Sequence, residues 1–236
     1  SLARSRRERI RRYPLATAYL FFVGRFFQFL MYTLRLKSPL VSAKTFWGDH
    51  MLVVYPDHRA VYHYGILDGE EIPLTHFIVN RLREGDVFFD VGANVGYYTL
   101  LAAALVGETG AVHSFEPTPR TYGILKENTG SKKNVVLNQT ALLDEEKSLE
   151  ITDFGVRHGG LNSLLAWEEL PAGFRDLQKR EHIKVQKIPV RAITLDQYCS
   201  QKKLYPTFIK MDTEGTELFV LRGAKEMLAQ CHPTLA

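Results

Sequence analysis

From Asp86 to its end the chain alternates strand-like and helix-like segments, which predicts an α/β fold with a doubly wound, mostly parallel sheet. The central observation is Val87-Phe88-Phe89-Asp90-Val91-Gly92-Ala93-Asn94-Val95-Gly96, read as a buried strand, an acid at its tip and a tight glycine turn. A helix then begins near Tyr97. A second strand, Ala111–Phe115, ends in Glu116, twenty residues beyond Gly96. Such a turn aims backbone N–H groups and a positive helix end at a ligand lying over the strand, and a carboxylate at the next strand tip can grip two ribose hydroxyls. Together these features describe a site for a nucleoside-type cofactor.

In chain order, Arg4, Arg6, Arg7, Arg9, Arg11 and Arg12 face one acid, Glu8. Tyr13 to Leu36 is dense in aromatic and aliphatic residues, and Pro14 to Leu34 is about the length that spans a bilayer. Arg25 near its middle costs roughly 2.5–3.5 kcal/mol on insertion scales, about what the aromatic residues and leucines return. Residues 1–37 therefore form a basic and hydrophobic helix with three readings: lying in a membrane interface, spanning as a signal anchor, or packing on protein. No small-residue cleavage pattern follows, which disfavours a removed signal peptide. With Ser1 in place of Met, the chain is expected to be processed or excised from something longer.

Residues 38–84 read as a β-rich lead-in. Leu52–Tyr55 and Ala60–Tyr64, joined by Pro56-Asp57-His58-Arg59, form the expected hairpin, and a helix follows from about Pro73 to Leu82. His50, His58, His63 and His76 lack metal spacing and read as solvated or turn residues. Residues 85–236 form the main domain, with strands near 86–90, 111–115, 134–138 and 207–211. Its helices are expected near 97–106, 119–128 and 215–229. A shorter strand pair near 148–152 and 182–190 flanks Asp153–Phe174, a polar stretch too long for a plain connector. It carries His158, Asn162 and Ser163, and the last two are expected to hydrogen-bond a hydroxylated substrate.

The glycines select among cofactors. A dinucleotide turn wants G-x-G-x-x-G, but Asn94 and Tyr97 occupy its second and third glycine positions. The pattern Asp90-x-Gly92-x-Asn94-x-Gly96 instead resembles the D/E-x-G-x-G-x-G loop of class I S-adenosylmethionine (SAM) methyltransferases with Asn in the middle, a mild swap since Asn tolerates left-handed backbone. The run Asp90 to Thr99 resembles the signature of the FkbM family of methyltransferases. Phe115-Glu116-Pro117, Thr194-Leu195-Asp196-Gln197-Tyr198, and Ile209 to Glu217 continuing to Leu221-Arg222-Gly223-Ala224 agree with it in order and spacing.

The resemblance implies a Rossmann-like class I methyltransferase sheet with SAM as cofactor, and O-methylation of a hydroxyl on a sugar or natural-product-like acceptor. It places Asp90, Gly92, Ala93, Asn94, Gly96, Glu116 and Asp212 against the cofactor, with Asp90 near the methionine ammonium. Asp212 is the first candidate for general base, then Glu214 and His158. Either of the two acids could instead cap the helix near Gly215. Adenine is expected near Asn138-Gln139-Thr140-Ala141. No metal is expected, because Asp144-Glu145-Glu146-Lys147 reads as a solvated turn. The family continues beyond the equivalent of Ala236, so the sheet is expected to be truncated at its C-terminal strands, with an unpaired edge and poor folding.

At 45% hydrophobic and 24% charged residues the composition is ordinary for a globular chain, and a net charge of +4, concentrated in the first twelve residues, argues against nucleic acid as a partner. Cys199 and Cys231 make no disulfide framework. The expected partner is a small-molecule or glycan acceptor, with a membrane surface open to residues 1–36. The expected location is cytoplasmic, free or membrane-associated. Two other readings stand: a membrane-associated scaffold that keeps the fold without the reaction, and a nucleotide-binding oxidoreductase, which NADH binding would support.

Overall fold

The computed structural model describes residues 39–69, 71–153, 186–213 and 215–236. The N-terminal helix expected over 1–37 lies outside them. Among the described residues no helix is long and apolar enough to cross a membrane.

Five parallel strands form the main sheet, in the order β10-β9-β3-β4-β5. They are β3 (Val87–Val91), β4 (Ala111–Phe115), β5 (Val135–Asn138), β9 (Phe208–Met211) and β10 (Thr234–Leu235). The central strands are apolar because both faces are covered. On one face Phe88, Val112 and Phe208 pack with Leu100 and Leu101 of α3 (Tyr97–Val106) and Ile124 of α4 (Pro119–Thr129). On the other, Phe89, Phe115 and Ile209 pack with α5 (Leu195–Lys202) and α7 (Lys225–Cys231) through Leu195, Tyr198 and Met227. His113 lies mid-strand on this second face, its Nδ1 2.6 Å from the Tyr198 hydroxyl, and burial pulls its imidazole down to about 4.

A second sheet has the order β6-β8-β7, formed by β6 (Ala141–Leu142), β7 (Lys147–Asp153) and β8 (Gln186–Ile193). The expected strand pair near 148–152 and 182–190 is β7 against β8, antiparallel from Lys147↔Ala192 to Asp153↔Gln186.

Three expectations are corrected. Residues 60–64 are not a strand: Arg59–Tyr64 is a short helix, α1, and the partner of β2 (His50–Val54) is β1 (Leu40–Lys44). The alternation of Ala60, Tyr62 and Tyr64 imitates a strand, but Gly65 ends the helix with φ +71°, its N–H donating to Val61 O at 2.8 Å. A side chain there would strike Lys44 O at 2.7 Å, so the glycine lets this short helix dock on β1. The helix expected over 215–229 is two, α6 (Glu217–Arg222) and α7, broken where Gly223 lies so close to Leu143 O that a Cβ would approach to 2.1 Å. Finally, the outer edge of β9 is not bare. Thr234–Leu235 runs parallel to it, with Thr234 N donating to Thr207 O and Met211 N to Ala236 O.

The helix expected at Pro73–Leu82 begins slightly earlier, as α2 (Glu71–Arg81), and it packs Ile78 into the first core.

Candidate cofactor site

The turn after β3 takes the conformations its residue types allow. Gly92, Asn94 and Gly96 have φ of +75°, +49° and +94°. The N–H groups of Gly92 and Ala93 both donate to Phe115 O, at 3.1 and 3.0 Å, drawing the turn over the end of β4. Gly92 has no room for a side chain, since a Cβ would lie 1.9 Å from Asp212 O.

Glu116 completes this arrangement. One carboxylate oxygen accepts from the Asn94 amide at 3.1 Å and the other from the Thr118 amide at 2.9 Å. Each oxygen keeps further lone pairs for a ligand. Burial pushes the carboxyl up to about 7, against the pull of Thr118, Asn94 and Lys210.

Beneath the turn runs a chain of polar groups through the apolar sheet. Asp90 stands beside Lys210 in the β3–β9 register. Lys210 Nζ donates to Gly92 O at 3.0 Å and lies 3.4 Å from Asp90 Oδ1 and 3.9 Å from Asp212 Oδ2. The other Asp90 oxygen accepts from the Thr99 hydroxyl at 2.6 Å, and Thr99 meets Ser114 at 2.8 Å. A buried charge persists only when paired in this manner.

These elements enclose a cavity of about 260 Å³. Of the residues assigned from sequence to the cofactor, Gly92, Ala93, Asn94, Glu116 and Asp212 are on its wall. Gly96 is not, and it serves as the left-handed entry to α3. Asp90 is also off the wall and fully buried; its link to the cavity runs through Lys210. Thr140 and Ala141, from the stretch expected near adenine, are on the wall. Glu214, His158, Asn162 and Ser163 lie outside the described residues.

Glu217, the first residue of α6, holds the turn that precedes the helix, and no side chain caps the helix start at Thr216. One Glu217 oxygen accepts from Thr213 N at 2.7 Å, the Thr213 hydroxyl at 3.0 Å and Gly215 N at 3.3 Å. Burial raises the Glu217 carboxyl, but these donors with its own amide outweigh it and hold the group below its ordinary value.

Among the wall residues that sequence reasoning did not assign to the site are Lys210, Tyr98, Glu71 and His58. Lys210 had a signal, a lone charge inside the apolar strand Phe208–Met211. Tyr98 donates to Glu71 Oε2 at 2.6 Å and lies beneath the Lys210 ammonium, whose nitrogen is 5.4 Å from the ring centroid. That contact joins α2 to the site and has no local signature.

The wall suits an adenosine carrying a charged amino-acid end. Glu116 offers an oriented carboxylate for paired hydroxyls, the glycine turn lets the backbone approach closely, and Lys210 with Asp212 offers both signs of charge.

Residues 90–236 match the methyltransferase FkbM domain. The hexuronic acid methyltransferase AglP of Haloferax volcanii is 22% identical over 197 residues, covering 82% of this chain and 71% of that protein. The 31-O-demethyl-FK506 methyltransferase FkbM of Streptomyces tacrolimicus is 49% identical over 48 residues, 20% of this chain and 18% of that protein. Among solved structures, the precorrin-6y C5,15-methyltransferase of Geobacter metallireducens aligns over 70% of this chain and 59% of its own, at 16% identity and a TM-score of 0.35. With residues 90–236 matched from the first acid of the turn to the C-terminal strand, the chain belongs to the FkbM family of methyltransferases, and S-adenosylmethionine is its cofactor.

Proposed function

We propose that the chain methylates a hydroxyl oxygen on a sugar or sugar-like acceptor. The observation that carries the cofactor half is Glu116, a buried carboxylate held by two backbone amides at the cavity wall. What supports the acceptor half is the likeness to a hexuronic acid methyltransferase over 82% of this chain.

In this reading Glu116 receives the ribose hydroxyls, the turn amides and Thr140 border the adenosine, and Lys210 with Asp212 receives the amino-acid end. Asp90 holds Lys210 in place and does not touch the ligand. The bound cofactor supplies a methyl group already activated on a sulfonium. The protein's task is then alignment, dehydration and acceptance of a proton. Asn162 and Ser163 are proposed to contact the acceptor, and Asp212, Glu214 and His158 are the bases that the sequence offers. The arginine-rich, aromatic residues 1–36 support a membrane-proximal acceptor by sequence alone.

The test is incubation with S-adenosylmethionine and a set of hexuronic acid glycosides. A product heavier by one methyl group, with the methyl assigned to an ether oxygen by NMR, is expected. Methyl transfer only to nitrogen or carbon acceptors would overturn the reading.

A further inference from the structure

His58 lies on the cavity wall between β2 and α1, and nothing in the cofactor reading uses it. Its Nδ1 is 3.3 Å from Val54 O. A carbonyl only accepts, so that contact places the proton on Nδ1 and leaves Nε2 with its lone pair. Among the described residues Nε2 has no partner. Its backbone is fixed as well, the His58 amide donating to Val54 O at 2.9 Å and its carbonyl accepting from Tyr62 N at 3.1 Å.

The strand that leads to His58 is anchored as well. Asn128 Oδ1 accepts from Leu52 N at 2.6 Å, while Nδ2 donates to Leu52 O at 2.9 Å and Val95 O at 2.7 Å. One side chain thus ties the strand leading to His58 to the glycine turn.

The other charged groups on the wall have partners, except that Asp212 is half exposed with only a distant one. Glu71 accepts from Tyr98, Glu116 from two amides, and Asp212 and Lys210 lie 3.9 Å apart. Arg59, the next residue, faces Asp68 at 4.0 Å. Burial lowers the His58 imidazole below its ordinary value, so the neutral form prevails at pH 7.5. A neutral imidazole with a free ring nitrogen is able to accept a hydroxyl proton.

We propose that His58 Nε2 is the catalytic base that accepts the proton of the acceptor hydroxyl, an assignment that rests on the O-methylation proposed above. The acceptor oxygen gives its proton to Nε2 and forms the new bond to the methyl carbon. The electron pair of the broken carbon–sulfur bond stays on sulfur, and the imidazolium then returns the proton to water.

The first readout needs no acceptor. Long-range ¹H–¹⁵N spectra, with His58 assigned by comparison with His58→Gln, should show the Nδ1–H tautomer at pH 7.5 and a shifted Nε2 signal on adding S-adenosylhomocysteine. The Nε2–H tautomer, the cation, or an unmoved signal would overturn the proposal. The second readout is methyl transfer to 4-nitrophenyl β-D-glucuronide. His58→Gln and His58→Ala should lower kcat by roughly 10²–10⁴-fold with S-adenosylhomocysteine affinity unchanged. An unchanged kcat, or a carboxyl ester as the product, would overturn the proposal, because a carboxylate oxygen has no proton to give. A wild-type protein that transfers no methyl to this glucuronide counts against the acceptor reading, and the spectra then decide on His58.

Discussion

Glu116 controls ligand binding in this account, and pH is the perturbation that isolates it. Its buried carboxyl is pushed up to about 7, and hydroxyl donors favour the ionised form. With that value roughly a tenth of the protein is ionised at pH 6 and roughly nine tenths at pH 8. Affinity for S-adenosylhomocysteine should therefore rise about tenfold between pH 6 and pH 8, with about one proton released at the lower pH. Titration calorimetry in two buffers of different ionisation enthalpy measures both quantities.

Without ligand, the sign of the stability effect is the reverse. The folded state holds this proton more tightly than the unfolded chain, so the stability it contributes is full below about pH 4.5 and declines as pH rises through about 7. His58, His63 and His113, all lowered by burial, act in the opposite direction, so the comparison must be with Glu116→Gln. That variant has one acceptor oxygen for two amides and should lose about 1–3 kcal/mol, together with the pH slope. An affinity that stays flat from pH 6 to pH 8 with no proton released would refute the reasoning.

Gly92→Ala would place a methyl group 1.9 Å from Asp212 O at φ +75°. The left-handed backbone alone costs about 1–2 kcal/mol, so a lower Tm by circular dichroism and loss of S-adenosylhomocysteine binding are expected. Lys210→Met leaves Asp90 charged and buried without its partner, a loss of about 3–5 kcal/mol in urea unfolding, most of which Asp90→Asn in the same chain should restore. For His113, held down to about 4, the contribution to stability is full above its ordinary value of 6.5 and lost as pH falls towards 4. Replacing His113 and Tyr198 together by Phe should flatten that part of the pH–stability curve, with both hydrogen-bonding partners removed at once.

The legible parts of the fold were those in which local and global preferences coincide. Tyr97–Val106 was expected over its observed range because a glycine turn starts it and Gly107 follows it. Asn94 was read as left-handed from its residue type, and φ is +49°. What escaped depends on tertiary context. Arg59–Tyr64 is too short to show a helical period, and Gly65 against Lys44 fixes its state. The register that sets Asp90 beside Lys210, and its bond to Thr99 one helix away, leave no mark in the local sequence. His58 reads as a turn histidine until the Asn128 link brings β2 to the glycine turn.

The most direct test of the central claim is a crystal structure of the complex with S-adenosylhomocysteine. The ribose hydroxyls are expected within hydrogen-bonding distance of Glu116, with the glycine turn beneath the ligand and its amino-acid end beside Lys210 and Asp212. A ligand bound away from Glu116, or one whose amino-acid end points away from Lys210, would contradict it.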